Sequence, residues 1–380
     1  MTEIHGNADQ RFDPLRQLLA ASIDAGDDVG ASVSVTVEGE TVVDLWGGWA
    51  DETRTKPWQR DTITNVWSST KTMTALSALT LVDSGDLDLD APVANYWPEF
   101  AANDKSHVAV KHLLGHTSGV SGWAQPVVVE DLYDWEKSTS MLASQEPWWE
   151  PGTASGYHAL NQGHLVGEVI RRITGLKLGE YFATTIAEPL GVDFHIGLDP
   201  VHDDRVAPVI PPPPIPFDLA SIDPNSPAIK TMTGPTPTAQ TSWTSQWRRA
   251  DIGAANGHGN ARSVARAQAL VANGGEVDGV RLLSPATIDQ IFEVQADGID
   301  LVLGEPLKFG IGYGLKSSSS PHIPDGNICF WGGWGGSSII VDTDRRITFA
   351  YMMNRMAEGV LGDDRAVNLF QAAYSALEAS

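Results

Sequence analysis

Val66-Trp67-Ser68-Ser69-Thr70-Lys71 is the stretch around which the rest of the chain falls into order. Its Ser68-x-x-Lys71 spacing occurs once, because none of the other eight lysines has a serine three positions before it. Alone, such a pattern is easily a chance match, and Ser68 as a plain helix N-cap accounts for it equally well. Position adds weight. Ile63 to Trp67 reads as a strand-like approach. Beyond it Met73, Leu76, Leu79 and Val82 recur at helical spacing up to Gly85, a helix-ending residue. Three positions apart on such a helix, serine and lysine lie one above the other on the same face. The free N–H groups and positive dipole end at the helix start favour negative charge developing on an attacked carbonyl oxygen. Burial beside that dipole end lowers the pKa expected of Lys71, so that it can take or pass a proton.

Upstream, Phe12, Leu15, Leu18 and Leu19 have helical spacing. The period-2 run Ala31, Val33, Val35, Val37, the turn Glu38-Gly39-Glu40 and Val42 to Trp46 then read as an antiparallel hairpin. A second hairpin is expected from Ser337 to Val341, across Asp342-Thr343-Asp344, to Ile347–Met352, and a terminal helix from about Asp364 to Leu377. Between these ends, Leu165 to Ile173 is amphipathic and stops at Gly175. Ser263 reads as the cap of a helix running to Asn273, and Ser284-Pro285 opens another. Pro211 to Pro214, within Ala207 to Phe217, excludes helix and central strand, leaving an extended loop that is either a passive connection or a lid. The order predicts an α+β fold: an antiparallel sheet flanked by helices in a lobe made from 1–75 plus 250–380. A mostly helical lobe with loops over the active site, 76–249, is inserted in it.

A formal charge of -23 with no compact basic run argues against nucleic acid and anionic membranes. An acidic surface serves solubility, or a preference for neutral or cationic substrates. No run of 18 apolar residues is present, the start lacks a secretory pattern, and the single Cys329 sits among apolar neighbours as a core thiol; a cytoplasmic protein is expected. Cys-x-x-Cys, His-Glu-x-x-His, EF-hand, P-loop and Gly-x-Ser-x-Gly patterns are absent. The i,i+4 pair His112 and His116 lacks an obvious third ligand and reads as structural. No metal or cofactor is expected.

Val66 to Lys71 resembles the first motif of the β-lactamase and penicillin-binding-protein-like serine hydrolases. Asp88 to Val93 and His112 to Gly119 resemble segments that follow it. Gly156-Tyr157-His158-Ala159-Leu160 resembles the second motif, Gly257 to Ala261 a helix-opening segment, and Trp331-Gly332-Gly333 the third motif. The likeness spans roughly residues 10 to 378, in the family's order. It implies the β-lactamase-like fold, with Ser68 as nucleophile and Tyr157 as base while Lys71 holds its charge. It places the third motif on an edge strand bordering the cleft, and the oxyanion hole at the N–H groups of Ser68 and Trp334. The bland reading of Tyr157 is a buried phenol tethered by its hydroxyl.

Two departures shift the expected substrate. Trp331 stands where penicillin-recognising members carry Lys or His, and Ala159 where the tyrosine motif carries Asn; Asn161 lies too far along to replace it. Both resemble the family VIII carboxylesterases, and an apolar rim at Trp331 with Gly332 and Gly333 suits an uncharged ester group. Trp148, Trp149, Trp243 and Trp247 are candidates for the other cleft wall, against the ordinary reading of aromatic residues as core. The expected activity is a serine carboxylesterase acting on a small-molecule, short-chain ester, with the oligomeric state open and a homodimer among the options. The rivals are a β-lactamase, D-amino-acid peptidase or amidase, an acyltransferase, and a non-catalytic binding or sensor module.

Overall fold

The computed structural model describes residues 2–124, 126–213, 223–359 and 362–378. In chain order its strands are β1 (Ile4–Ala8), β2 (Gly30–Val37), β3 (Glu40–Gly48), β4 (Ile63–Asn65), β5 (Val206–Ala207), β6 (His258–Gly259), β7 (Glu276–Val277), β8 (Val280–Arg281), β9 (Ala296–Ile299), β10 (Pro306–Phe309), β11 (Gly314–Leu315), β12 (Ile328–Gly332), β13 (Ser338–Asp342) and β14 (Ile347–Met353). Nine of them form one antiparallel sheet, ordered β1-β3-β2-β14-β13-β12-β11-β10-β9. The two chain ends meet where β2 pairs β14, with Val33 opposite Tyr351 and Val35 opposite Phe349. This is the expected fold class.

The alternation in β2 places Ala31, Val33 and Val35 in the core, yet Ser32, Ser34 and Thr36 are buried as well. Helix Ala261–Ala272 packs on β2 and β14. Helix Asp364–Glu378 also reaches β14, through Phe370, whose ring lies 5.7 Å from that of Phe349. Ser263 lies inside helix Ala261–Ala272 rather than capping it. Asn260, extended at φ -128°, accepts from the Ser263 N–H instead, because only the residue before the first turn can turn its side chain back onto those donors.

Helix Thr70–Ser84 is buried all round from Thr70 to Leu81, so its apolar residues are more than one stripe. Its hydroxyls serve this burial by bonding carbonyls: Thr72 to Ser69, Ser77 to Met73 and Thr74 to Gly253. Burying Met73, Leu76 and Leu79 contributes about 1.5–3 kcal/mol each. Gly85, at φ 80°, ends the helix in the left-handed region that a Cβ disfavours. Strand β4 leads into this helix and is held between β5, in parallel, and β6, antiparallel.

Strand β12, which carries the third motif, is interior to the sheet and not an edge. Its pairing with β11 covers only Cys329 and Phe330, so the Trp331–Gly332 end is open on that side. The proline-rich stretch is fixed at Ile210, which exchanges backbone bonds with Asn354 and Met356; residues 214–217 lie outside the described residues. No described helix is long and apolar enough to cross a membrane.

Candidate active site

Between β4 and helix Thr70–Ser84 the chain makes one sharp bend. Trp67 sits at φ 49°, an unfavourable conformation for a bulky residue at a cost of about 1–2 kcal/mol. Packing holds it there: its rings lie 4.9 Å from those of Trp334 and 5.6 Å from those of Trp247. Thr70 Oγ1 donates to Trp67 O and accepts from Gly257 N–H, which locks the bend from beneath. The result is a half-exposed Ser68 over a buried helix.

Ser68 Oγ lies 3.0 Å from Lys71 Nζ and 2.8 Å from the Tyr157 hydroxyl. Lys71 is fully buried, and its amine also donates to Ala159 O at 2.8 Å and Ala254 O at 2.9 Å. Burial holds its pKa well below the usual lysine value. The amine thus directs three bonds, to Ser68 Oγ and to the two carbonyls. Burial likewise pushes the Tyr157 phenol up, with Asp300 adding to the rise, while hydrogen bonds with Ser68 and the Trp331 indole oppose it. Burial thus moves the amine and the phenol alike toward their neutral forms.

Tyr157 is pinned through three consecutive backbone groups. Gly156 N–H donates to His116 O, Tyr157 N–H to Asp300 Oδ1 and His158 N–H to His116 Nδ1. His116 has φ 60°, and its ring stacks on Trp331 at 5.4 Å and 19°. The His112/His116 pair is therefore not on one helical face: helix Val110–Leu114 ends first and the chain turns. His116 thus joins the second motif to the third. Sequence reasoning missed this role, and it missed the Ala159 and Ala254 carbonyls and Asp300.

Gly333 packs against the nucleophile bend. An added Cβ would overlap Val66 O and Ser337 Oγ and come within 3.3 Å of Ser68 N. Among the described residues, neither the Ser68 nor the Trp334 N–H has a backbone acceptor outside the helices and strands. Gly333→Ala is expected to part the bend from the strand and lower kcat by about 10²-fold with little change in secondary structure, the scale of one lost oxyanion donor. Steady-state kinetics alongside circular dichroism checks this, and a variant within threefold of wild type would contradict it.

The tryptophans distribute differently. Trp331 is 6% exposed and stacks on His116, and with Tyr157, Phe330 and Gly332 it lines the hollow beside the second motif. Trp247 is fully buried behind Trp67 and bonds Asn65. Trp243 is a surface residue tied to Val209 O. Trp149 bonds Ala154 O and packs on Gly156, and Trp148 borders a separate surface hollow with Lys230. The structure gathers none of these four beside Ser68. The core aromatic reading prevails for Trp247, because a ring behind the bend is what holds it.

Histidine burial carries a stability consequence. His158 bonds Gly156 O and Ser118 Oγ, His164 bonds Leu132 O, and burial lowers both pKa values to about 4. These groups protonate near 6.5 when unfolded, so their stability is fully present above that pH and is lost as pH falls from about 6.5 to about 4. Each contributes about 3 kcal/mol over that window. The urea midpoint is expected to fall markedly between pH 7 and pH 4.5, and an unchanged midpoint would contradict the neutral assignment.

The family model described as "Beta-lactamase" matches residues 15–374. The "Esterase/beta-lactamase LipL" of Mycobacterium tuberculosis is 33% identical over 377 residues, covering 96% of this chain and 86% of that protein. Among solved structures, a family VIII carboxylesterase superposes at TM-score 0.93 and 40% identity, over 98% of this chain and 100% of its own. A penicillin-binding protein homologue from Caulobacter crescentus superposes at TM-score 0.92 and 36% identity, over 99% and 100%.

Proposed function

We propose, from the premise that this chain belongs to the beta-lactamase family and is a serine hydrolase of it, that it cleaves short-chain carboxylic esters through an acyl-enzyme on Ser68. The observation that carries the reading is the convergence of Lys71 Nζ and the Tyr157 hydroxyl on one serine oxygen. Neutral Lys71 takes the Ser68 proton as Oγ attacks the carbonyl carbon, and the oxyanion lies on the Ser68 and Trp334 N–H groups. The bond to the alcohol oxygen breaks as the Tyr157 hydroxyl gives that oxygen its proton, and the Lys71 ammonium restores the phenol across the site. Water, losing its proton to the same pair, then attacks the acyl carbon, and the C–Oγ bond breaks as the pair returns that proton to Ser68 Oγ, freeing Ser68 and a carboxylic acid.

An ester is favoured over a lactam because the third motif presents the buried indole of Trp331 where a carboxylate would need a cation. The test compares a nitrophenyl butyrate, nitrocefin and a peptide amide. Ester kcat/KM is expected to exceed both others by at least about 10²-fold, a discrimination within reach of one site's differential binding. Equal or faster nitrocefin turnover would move the reading to a β-lactamase.

A further inference from the structure

We propose that the groove beside Tyr157 receives the alcohol half of the substrate, and that the preferred substrates are small-acyl esters of bulky, uncharged, apolar alcohols. This rests on the ester reading above, and specifically on Tyr157 as proton donor to the leaving oxygen.

The groove has a cavity volume of about 90 Å³ before it opens to solvent. Tyr157, Trp331 and Gly332 line it, together with Leu303, Leu307, Phe309, Leu315 and Phe330. The sheet builds its floor, with Gly314 opposite both Phe309 and Phe330. Neither Ser68 nor Trp334 is among the described residues that line it. The carbonyl oxygen on their N–H groups therefore lies outside the groove. The leaving oxygen has to sit against the Tyr157 hydroxyl to be protonated, and whatever it bears then continues into the space that starts there. A small acyl group held on Ser68 has no share in that space.

The same carboxylate fixes the donor and the wall, since Asp300 Oδ1 accepts from both Tyr157 N–H and Leu303 N–H. The lining favours an uncharged group. Lys308 is tied to Asp297 at 2.8 Å, burial lowers the His322 pKa, and Ser317 is bonded to Ser320. No described lining residue offers an unpaired charge to a carboxylate or ammonium on the alcohol. Gly314 keeps the floor open: a Cβ there would come within 3.3 Å of the Phe330 ring, and a longer side chain would project into the groove.

The experiment uses three esters of primary alcohols with similar leaving-group acidity: ethyl acetate, 2-phenylethyl acetate, and ethyl 4-phenylbutyrate, which moves the bulk to the acyl side. Wild type is expected to show kcat/KM at least tenfold higher for 2-phenylethyl acetate than for either other ester. Gly314→Leu is expected to lower 2-phenylethyl acetate turnover at least tenfold more than that of ethyl acetate. Phe330→Ala, which only removes apolar wall, is expected to reduce the preference several-fold and serves if the leucine variant misfolds. Equal turnover of the two acetates, preference for the bulky acyl ester, or an equal drop for all three esters in both variants would overturn the assignment. An enzyme that cleaves none of the three and takes no fluorophosphonate on Ser68 would instead overturn the ester reading, and this assignment with it.

Discussion

Ser68→Ala is expected to lower kcat for a short-chain nitrophenyl ester by at least about 10⁴-fold, because the route proposed above passes through an acyl-enzyme on Ser68 and its loss leaves only binding and oxyanion stabilisation. Geometry argues that the fold survives. Ser68 caps no helix with its side chain. The bend is held by the Trp67, Thr70 and Gly257 contacts, none of which uses Oγ. The lost partners are one bond each from Lys71 and Tyr157, and Lys71 retains its two carbonyls. A stability change of about 1 kcal/mol is the expected scale for such a loss. Unchanged turnover with an intact thermal transition would remove Ser68 from the chemistry.

Lys71→Met is the second large effect, a loss of about 10³-fold in kcat/KM, within the range of a deleted general base. Methionine fills much the same volume but leaves Ala159 O and Ala254 O without their donor, at about 1–3 kcal/mol each. Removing a desolvated amine offsets part of that cost. The pH profile separates a base from a structural prop. In the mechanism proposed above the neutral amine is the active form, so wild-type kcat/KM is expected to rise with pH through the Lys71 pKa, which burial holds well below 10.5. The plateau extends into alkaline pH because burial pushes Tyr157 upward. Residual Lys71→Met activity should lack the rise that belongs to the amine. A variant with wild-type rate, or with the same acid limb, would contradict the role.

The nucleophile helix, both hairpins and the meeting of the two chain ends were legible in the sequence. Period and end signals were strong there: Val33 and Val35 alternate, and Gly85 stops the helix. Strands β1, β9, β10 and β11 were not legible, since two to five residues with Gly or Pro among them carry little periodicity. Ser68, Lys71 and Tyr157 were legible as side chains at informative spacings. Their supports were not, because Ala159 and Ala254 act through carbonyl oxygens that any residue possesses. His116 misled for a related reason: its i,i+4 distance from His112 suggested a shared face, and the turn at φ 60° destroys that. The tryptophans show the weakness of composition as a guide, for the indole of Trp247 holds Trp67 in its bend while that of Trp331 joins leucines and phenylalanines in lining the groove.

All of these expectations depend on one covalent event. Mixing the enzyme with a slow-turnover activated ester, quenching in acid and weighing the intact protein should reveal an adduct of one acyl group. Peptide mapping should place that adduct on Ser68, and it should be missing from Ser68→Ala. An acyl group mapped to any other residue, or ester turnover persisting in Ser68→Ala, would contradict the account.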